Sequence, residues 1–175
     1  KTLKIAQELY EKWKAITYPR TDSRYLPMDM IGRAKLTLQK LPQSYQQHVQ
    51  NIPWKEDGKL PFSKRIFDNA KVSDHHAIIP TPQTAPMDKL PPDAQKLFDM
   101  IARRTVAAFF PAHEYNQTKI VSKVEDYSFR STGHTVLING WKDVYPKEEK
   151  DEDQLPKLSK GDPCTVQKTT VKKES

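Results

Sequence analysis

The sequence predicts an α+β fold in which a mainly helical domain, residues 1–112, precedes a domain of antiparallel strands, residues 113–175. In the first part hydrophobic residues recur every three or four positions, which is typical of amphipathic helices. Beyond Pro111 the period changes to two, and β-branched residues alternate with polar ones. Fourteen prolines against five glycines indicate that stiff connections separate these elements.

The apolar spacing of the first part predicts four helical segments, over residues 3–15, 29–50, 65–70 and 93–110. Pro19 disfavours the α conformation of the residue before it, so the first helix must end near Tyr18. Pro42 divides the second segment in two. Asp93 follows two prolines and is expected to cap the last helix, which Pro111 stops.

The second part reads as short strands separated by turns. The alternation predicts strands over 119–124, 127–132 and 135–138, with turns at Glu125-Asp126, Gly133-His134 and Asn139-Gly140. The charge run at 147–153 is expected to be a solvent-exposed loop. Residues 164–172 are expected to form a last strand.

The charge is unevenly distributed. The net charge is +7, but residues 141–175 contain eight lysines and eight acidic residues, which cancel, so the excess lies in residues 1–140. This excess favours a polyanionic partner, most simply nucleic acid, although a basic surface alone would explain it equally well. The single cysteine, Cys164, excludes an internal disulfide and suits a reducing compartment. No apolar run approaches the roughly 18 residues of a membrane-spanning helix.

Residues 16–26 combine groups that phosphodiester cleavage needs. A tyrosine can store a phosphodiester as a covalent ester. Its pKa near 10 leaves only about one phenol in a thousand ionised at neutral pH, so nearby cations and donors must assist. If the chain is extended beyond Tyr18, then Arg20 and Asp22 share its face. Arg20 could then hold a phosphate through two hydrogen bonds, and Asp22 could orient a cation or a histidine.

Two hydroxyl residues, Thr21 and Ser23, lie between these charged positions and could bond phosphates or cap a turn. The local chemistry does not decide the matter, because tyrosine followed by proline is also common at ordinary helix ends. A structural role for the whole run therefore stays open at this point.

A second cluster is Asp74-His75-His76, followed by the apolar residues Ala77-Ile78-Ile79. Adjacent histidines beside an aspartate could ligate a metal. Without a cysteine or further histidine nearby, however, they read equally well as solvent-facing side chains, so no metal site is predicted on this chain.

Residues 17–26 resemble the active-site signature of type IA DNA topoisomerases, especially the topoisomerase III branch, and residues 74–81 resemble the second signature of that branch. The resemblance implies that Tyr18 attacks one DNA strand and forms a 5′-phosphotyrosine link, with Arg20 steadying the phosphate. It implies that His75 reaches the cleavage site, where it bonds the phosphate or pairs with a carboxylate such as Asp22. His76 would contact DNA or a neighbouring domain. Supporting or DNA-binding roles would fall to further residues of the two signatures, Thr21, Asp22, Ser23, Arg24 and Asp74.

The resemblance continues through the helix at 97–111 and the strands of the second part. Arg103 and Arg104 on that helix could touch DNA, although plain surface charges are at least as good a reading. The family's tyrosine domain is helical with a winged-helix-like element, and the β part would belong to its arch, or topo-fold, domain. The family relaxes negative supercoils or decatenates DNA without ATP, in the cytoplasm and on the chromosome. The expected partners are single-stranded DNA and the other domains of the same enzyme, with no membrane.

The resemblance also implies a part that this sequence lacks. The family binds Mg²⁺ on a Toprim domain, which also supplies a glutamate for proton transfer, and no Toprim pattern occurs here. The chain also begins without methionine inside a predicted helix, so we expect it to be a piece of a longer enzyme. On its own it should bind DNA weakly and neither cleave nor relax it.

Other functional classes remain as alternatives. The first is a non-catalytic DNA-binding module in which Tyr18 only packs. The second is another enzyme with a tyrosine nucleophile, such as a recombinase or relaxase, but those need scattered arginines and histidines or a three-histidine metal cluster. The third is a structural scaffold, which two signatures in the right order make a poor explanation.

Overall fold

The computed structural model describes residues 1–83, 87–146, 155–166, 168 and 170. The chain divides into two compact units, Lys1–His113 with Asn139–Lys147, and Glu114–Ile138 with Glu148–Ser175. Within the described residues the first unit carries four α-helices and the second a two-stranded antiparallel sheet, which confirms the α+β class. None of the helices described is both long and apolar enough to cross a membrane.

The helices of the first unit are α1 (Thr2–Glu11), α2 (Ile31–Lys40), α3 (Gln43–Gln50) and α4 (Pro92–Ala107). Short 3₁₀ segments occur at Met28–Met30, Asn69–Lys71, Met87–Lys89 and Gly140–Val144. Pro42 divides α2 from α3, as its missing N–H and fixed φ predict. Proline also begins α4, where it leaves no N–H unpaired. The expected cap at Asp93 is wrong, because Pro92 can begin the helix itself, so Pro91 is the N-cap and Asp93 lies in the first turn.

The predicted helix at 65–70 is wrong. Leu26 forms a parallel bridge with Phe67, in which Leu26 N donates to Ile66 O at 2.8 Å and Asp68 N donates to Leu26 O at 3.0 Å. This tertiary pairing follows a turn at residues 64–66 and places Phe67 in the bridge and Asp68 in an extended conformation, and only the 3₁₀ turn Asn69–Lys71 follows. Phe67 gains a nearly complete burial in the core by this arrangement.

Helix α1 ends earlier than its apolar pattern predicts, at Glu11 rather than near residue 15. Lys14 adopts a left-handed conformation with φ +51°, and Ala15 N donates to Leu9 O at 2.8 Å. This turn reverses the chain after the helix. It places Ala15 and Ile16 in the core and leads the backbone directly to Tyr18.

The core of the first unit is built around α4. One face of this helix, with Phe98, Ala102 and Val106, is buried, and the helix packs against α1 and α3. Leu9 and Ile16 belong to the same cluster and are almost fully buried. The segment that carries Tyr18 is therefore fixed to the core just before the tyrosine.

Asp99 and Arg103 of α4 form a polar cluster with Tyr45 and with the carbonyl oxygen of Val144. Arg103 Nε donates to both carboxylate oxygens of Asp99, at 3.0 and 2.9 Å, and Arg103 Nη1 donates to Val144 O at 2.6 Å. Tyr45 OH donates to Asp99 Oδ1 at 2.9 Å. Burial raises the pKa of Tyr45, and the Asp99 carboxylate adds to the shift. Arg103 was expected either to touch DNA or to be a plain surface charge, and its guanidinium instead bonds within the helical unit.

The second unit contains a long hairpin of β1 (Glu114–Val124) and β2 (Tyr127–Ile138). Val124 pairs with Tyr127 across the predicted Glu125-Asp126 turn, and Glu125 has φ +54°. The predicted turn at Gly133-His134 is wrong, because β2 runs straight through it and Gly133 pairs with Thr118. The residues that pair with 133–138 are 114–118, which the sequence alternation does not predict as part of a strand.

Two further expectations concern residues after the hairpin, the strand at 164–172 and the loop at 147–153. Residues 164–166 of the predicted last strand lie outside any strand, and part of the remainder lies outside the described residues. The charge run at 147–153 also lies outside them.

Gly140 allows the chain to return from the hairpin against the end of α4. Its φ is +55°, and a Cβ built on it would lie 2.3 Å from Ala112 O and 2.5 Å from Pro111 O. Trp141 N donates to Pro111 O at 3.0 Å, and the 3₁₀ segment Gly140–Val144 then buries Val144. The expected Asn139-Gly140 turn is thus a helical entry rather than a hairpin turn.

We predict that Gly140→Ala lowers the free energy of unfolding of the helical unit by roughly 2–4 kcal/mol, because the new Cβ meets backbone atoms and the left-handed φ is strained. The measurement is urea unfolding followed by helical circular dichroism. Gly32→Ala is the control, since nothing lies within 4 Å of its Cβ position inside α2 and it should stabilise by about 0.5–1 kcal/mol. Equal effects of the two substitutions would contradict the assigned role of Gly140.

Candidate active site around Tyr18 and His75

The two signature segments lie side by side although about 55 to 60 residues separate them in sequence. Three backbone hydrogen bonds join them: Thr17 N to Ile79 O at 2.9 Å, Thr81 N to Ala15 O at 2.9 Å, and Ala77 N to Tyr25 O at 2.8 Å. Ile16 and Pro80 also form an antiparallel bridge. The tyrosine and histidine runs are therefore one structural unit.

Two threonine side chains strengthen this junction. Thr17 Oγ1 donates to Ala77 O at 3.3 Å and accepts from Ile79 N at 3.0 Å. Thr21 Oγ1 donates to His75 O at 2.9 Å and accepts from Ser23 N at 3.0 Å. Because Thr21 holds the His75 carbonyl, the backbone that carries this histidine is fixed relative to the tyrosine run.

The Tyr18 ring contacts two other rings. Its centroid is 4.5 Å from that of His75, with the ring planes tilted by 48°. Tyr10 of α1 also meets it edge-on, with centroids 5.3 Å apart. Tyr18 is half-buried and His75 is exposed, so the histidine can meet a ligand that approaches the phenol from solvent. These contacts restrict the direction in which the phenol points.

Exposure alternates along residues 20–25. Arg20, Asp22 and Arg24 are exposed, whereas the hydroxyl residues between them are half-buried and bonded inward. In the part of the chain that the structure describes, neither arginine side chain has a hydrogen bond or an ion pair. The run thus presents two free guanidinium groups on its solvent face.

The carboxylate of this run has a different neighbour from the one anticipated. Asp22 Oδ1 accepts a hydrogen bond from Ser73 Oγ at 3.3 Å, and no hydrogen bond among the described residues joins it to His75. His76 is half-buried, and its Nδ1 lies 2.8 Å from Ala77 O. Asp74 is exposed. The structure therefore brings His75, but not His76, to the tyrosine.

Sequence reasoning missed three contributors to the site. Tyr10 gives no sequence signal of a role at the site, because its contact with Tyr18 depends on the early end of α1. The linking role of Thr17 has no local signal, because its partners at 77 and 79 are remote in sequence. Lys71 lies over the Tyr25 ring at 4.7 Å and donates to its hydroxyl at 3.3 Å, a contact equally invisible from sequence.

The residues that the structure describes contain no group of three or more histidine, cysteine or acidic side chains placed to hold a metal ion. Asp74, His75 and His76 are adjacent in sequence but do not converge on one point. The side chains of this surface include a phenol, an imidazole and guanidinium groups.

Comparison with known proteins gives consistent matches over the whole chain. The model of a family described as DNA topoisomerase matches residues 1–175. The protein named DNA topoisomerase 3 of Bacillus subtilis is 41% identical over 177 residues, which cover 97% of this chain and 24% of that protein. The protein of the same name from Bacillus licheniformis is 41% identical over 179 residues (98% and 24%), and that from Bacillus thuringiensis strain Al Hakam 37% over 174 residues (94% and 24%). This chain spans about a quarter of the length of these relatives.

We predict that Thr17→Val lowers the free energy of unfolding of the helical unit by about 1–3 kcal/mol, because the nearly isosteric side chain leaves Ile79 N without its acceptor and removes one donor from Ala77 O. Urea unfolding measures the change. Thr118→Val, on the exposed strand β1, is the control and should stay within about 0.5 kcal/mol of the parent. A Thr17 variant as stable as this control would show that the junction does not depend on the hydroxyl.

Proposed function

The chain belongs to the DNA topoisomerase family as a type IA, topoisomerase III-like member, and from this we propose that Tyr18 is its DNA-cleaving nucleophile. The complete enzyme would cut one DNA strand, pass another through the gap and reseal it, relaxing negative supercoils or decatenating DNA. The observation that carries the proposal is the contact of the Tyr18 and His75 rings at 4.5 Å, between two segments that the fold holds together.

The proposed reaction is a transesterification. The phenolic oxygen of Tyr18 attacks the phosphorus of a single-strand phosphodiester, and the bond from phosphorus to the 3′ oxygen breaks. The phosphate stays linked through its 5′ oxygen to the nucleoside and through its new bond to Tyr18. The phenol loses its proton and the departing 3′ oxygen gains one. Resealing is the reverse, and since one ester replaces another the reaction needs no ATP.

The site offers cationic and hydrogen-bond-donating side chains that suit the negative charge developing on the phosphate. Arg20 is exposed on the tyrosine run and can offer two parallel N–H donors to the non-bridging oxygens. His75 is in ring contact with the phenol and can donate a hydrogen bond to the same phosphate. Arg24 and the hydroxyl residues Thr21 and Ser23 would fix the adjoining backbone or the strand. Asp22, bonded to Ser73, would act by positioning the run rather than by pairing with His75.

The other parts of the reaction are proposed to lie outside this chain. Mg²⁺ and the general acid would come from a Toprim domain, and no step here depends on a metal held by the described residues. The hairpin would form part of the arch, and the helical unit would contribute the winged-helix-like element. The exposed Val121 and Phe129 of the hairpin support this, because a two-stranded ribbon with uncovered apolar side chains is marginal alone. The complete enzyme would act on the chromosome in the cytoplasm.

We predict that the full-length protein that carries this chain forms a covalent DNA adduct, and that Tyr18→Phe abolishes it, because phenylalanine has no attacking oxygen. The measurement is gel detection of a labelled single-stranded oligonucleotide after denaturant quench, with the label on the fragment 3′ of the cut. Tyr127→Phe, on the exposed hairpin, is the matched control and should keep the adduct. A protein that binds the strand and never forms an adduct would instead be a non-catalytic DNA-binding module.

We predict that His75→Ala in the same protein slows cleavage by about 10²–10³-fold, the usual loss when one placed donor is removed. Single-turnover cleavage measures the rate, and anisotropy should show that strand binding changes far less. His134→Ala, on the hairpin, serves as the control and should cleave at the parent rate. Cleavage by the His75 variant within a few-fold of the parent would remove this histidine from the mechanism.

We predict that the 175-residue chain alone binds single-stranded DNA weakly and produces neither a covalent adduct nor relaxation of a negatively supercoiled plasmid. The reason is that the proposed metal site and general acid are not among its residues. Agarose gel mobility of the plasmid and the adduct gel are the measurements. Relaxation by the pure chain would show that the proposed division of the active site is wrong.

A further inference from the structure

A cavity of about 760 Å³ opens in the helical unit beside the candidate site. Thr21 and Ser23 line it on one side, and Ala77 lines it from the histidine segment. Three residues of extended chain span at most about 11 Å, so the cavity wall begins within that distance of the Tyr18 backbone. The cavity wall therefore includes part of the tyrosine run itself.

The charge of this cavity is entirely positive. Arg24, Arg65 and Arg104 line it, and none of its lining residues is acidic. Across the described residues no hydrogen bond or ion pair engages the side chains of these three arginines. Arg103, next to Arg104 on α4, shows the contrast, because Asp99 and Val144 O occupy its guanidinium. Such a set of uncompensated guanidinium groups favours a phosphate.

The same cavity offers a flat apolar surface. Trp141 lines it with 37% of its surface exposed, and Phe110 lies close by in the wall. The Trp141 backbone is fixed by its bond to Pro111 O at 3.0 Å, and its ring meets Tyr145 edge-on at 5.9 Å. A partly exposed indole beside arginines matches the way in which proteins bind single strands, with a base on an aromatic face and cations on the backbone.

We propose that this cavity holds a nucleotide of the DNA strand that is being cleaved, a few positions from the scissile phosphate. Arg65 and Arg104 bind the two phosphates that flank this nucleotide, one each, and Trp141 stacks on its base. The inference rests on the proposed function, since it is the strand attacked by Tyr18 that reaches the cavity. It assigns the anchoring of the strand to Arg65, Arg104 and Trp141, which all lie outside the two signature segments.

The test is strand binding by the full-length protein with Tyr18→Phe, so that no cleavage occurs. Oligonucleotides are lengthened one nucleotide at a time on each side of the cleavage position, and anisotropy measures the affinity. We expect a rise of about tenfold or more when the strand first reaches the cavity. Arg65→Gln/Arg104→Gln should remove this rise and lower the slope of log affinity against log salt by about 1.4. Trp141→Ala should lose most of the rise and Trp141→Phe should keep it.

The matched control is Arg33→Gln/Lys96→Gln, which removes two exposed cations that lie outside the cavity and should keep the rise. A rise that survives the arginine substitutions, or that the control removes equally, overturns the proposal. Competition by deoxynucleoside monophosphate or inorganic phosphate as strong as by the strand would identify a free-anion site, and competition by a poly-glutamate peptide an acidic-peptide site; both overturn it.

Failure of the two proposals is distinguishable. Binding is measured without cleavage, so a missing adduct at Tyr18 rejects the nucleophile and leaves the cavity result readable. Arg65 and Arg104 are exposed, and a thermal melt verifies folding of the double variant. If the double variant has a lowered melting temperature, the single variant Arg65→Gln replaces it. That variant should show half of the expected change in the slope of log affinity against log salt.

Discussion

Three backbone hydrogen bonds between residues 15–25 and 77–81 hold Tyr18 and His75 together. Each such bond contributes only about 0.5–1.5 kcal/mol net, but leaving its buried groups unpaired costs more. Thr17 adds a donor and an acceptor to the same junction. The position of the phenol and the direction of the imidazole follow from this pairing, and so does one side of the arginine cavity, which Thr21 and Ser23 line.

The hydroxyl side chains of the tyrosine run face inward, whereas its charged side chains face solvent. Thr21 and Ser23 donate hydrogen bonds to His75 O and Lys71 O, and the charged residues next to them are exposed to solvent. Arginines that face solvent without carboxylate partners repel one another and attract a polyanion over several ångströms, an attraction that salt screens. The surface thus already carries the uncompensated positive charge that the proposed function requires.

How much the sequence revealed differs from element to element. Helix α4 was predictable, because its apolar stripe and its starting proline agree with the helix it forms. The closeness of Tyr18 and His75 followed from family signatures and not from local chemistry, which left a structural role open. The extended pairing of Leu26 with Phe67 was missed because a remote partner overrode local helical spacing. Arg103 and Arg104 look alike in sequence, and only the fold separates the one that is bonded internally from the one that lines the cavity.

The hairpin has a topological consequence. It leaves the helical unit after His113 and returns at Asn139, whose carbonyl lies 3.2 Å from His113 Nδ1, and Gly140 then packs on Ala112. The ends of the excursion are thus pinned together inside the helical unit. Lengthening or shortening the ribbon changes only the entropic cost of closing a loop whose ends already meet. This cost varies slowly with the length of the loop. Tension on the ribbon would load both of its strands at one anchor, so the helical unit could be pulled as a single body.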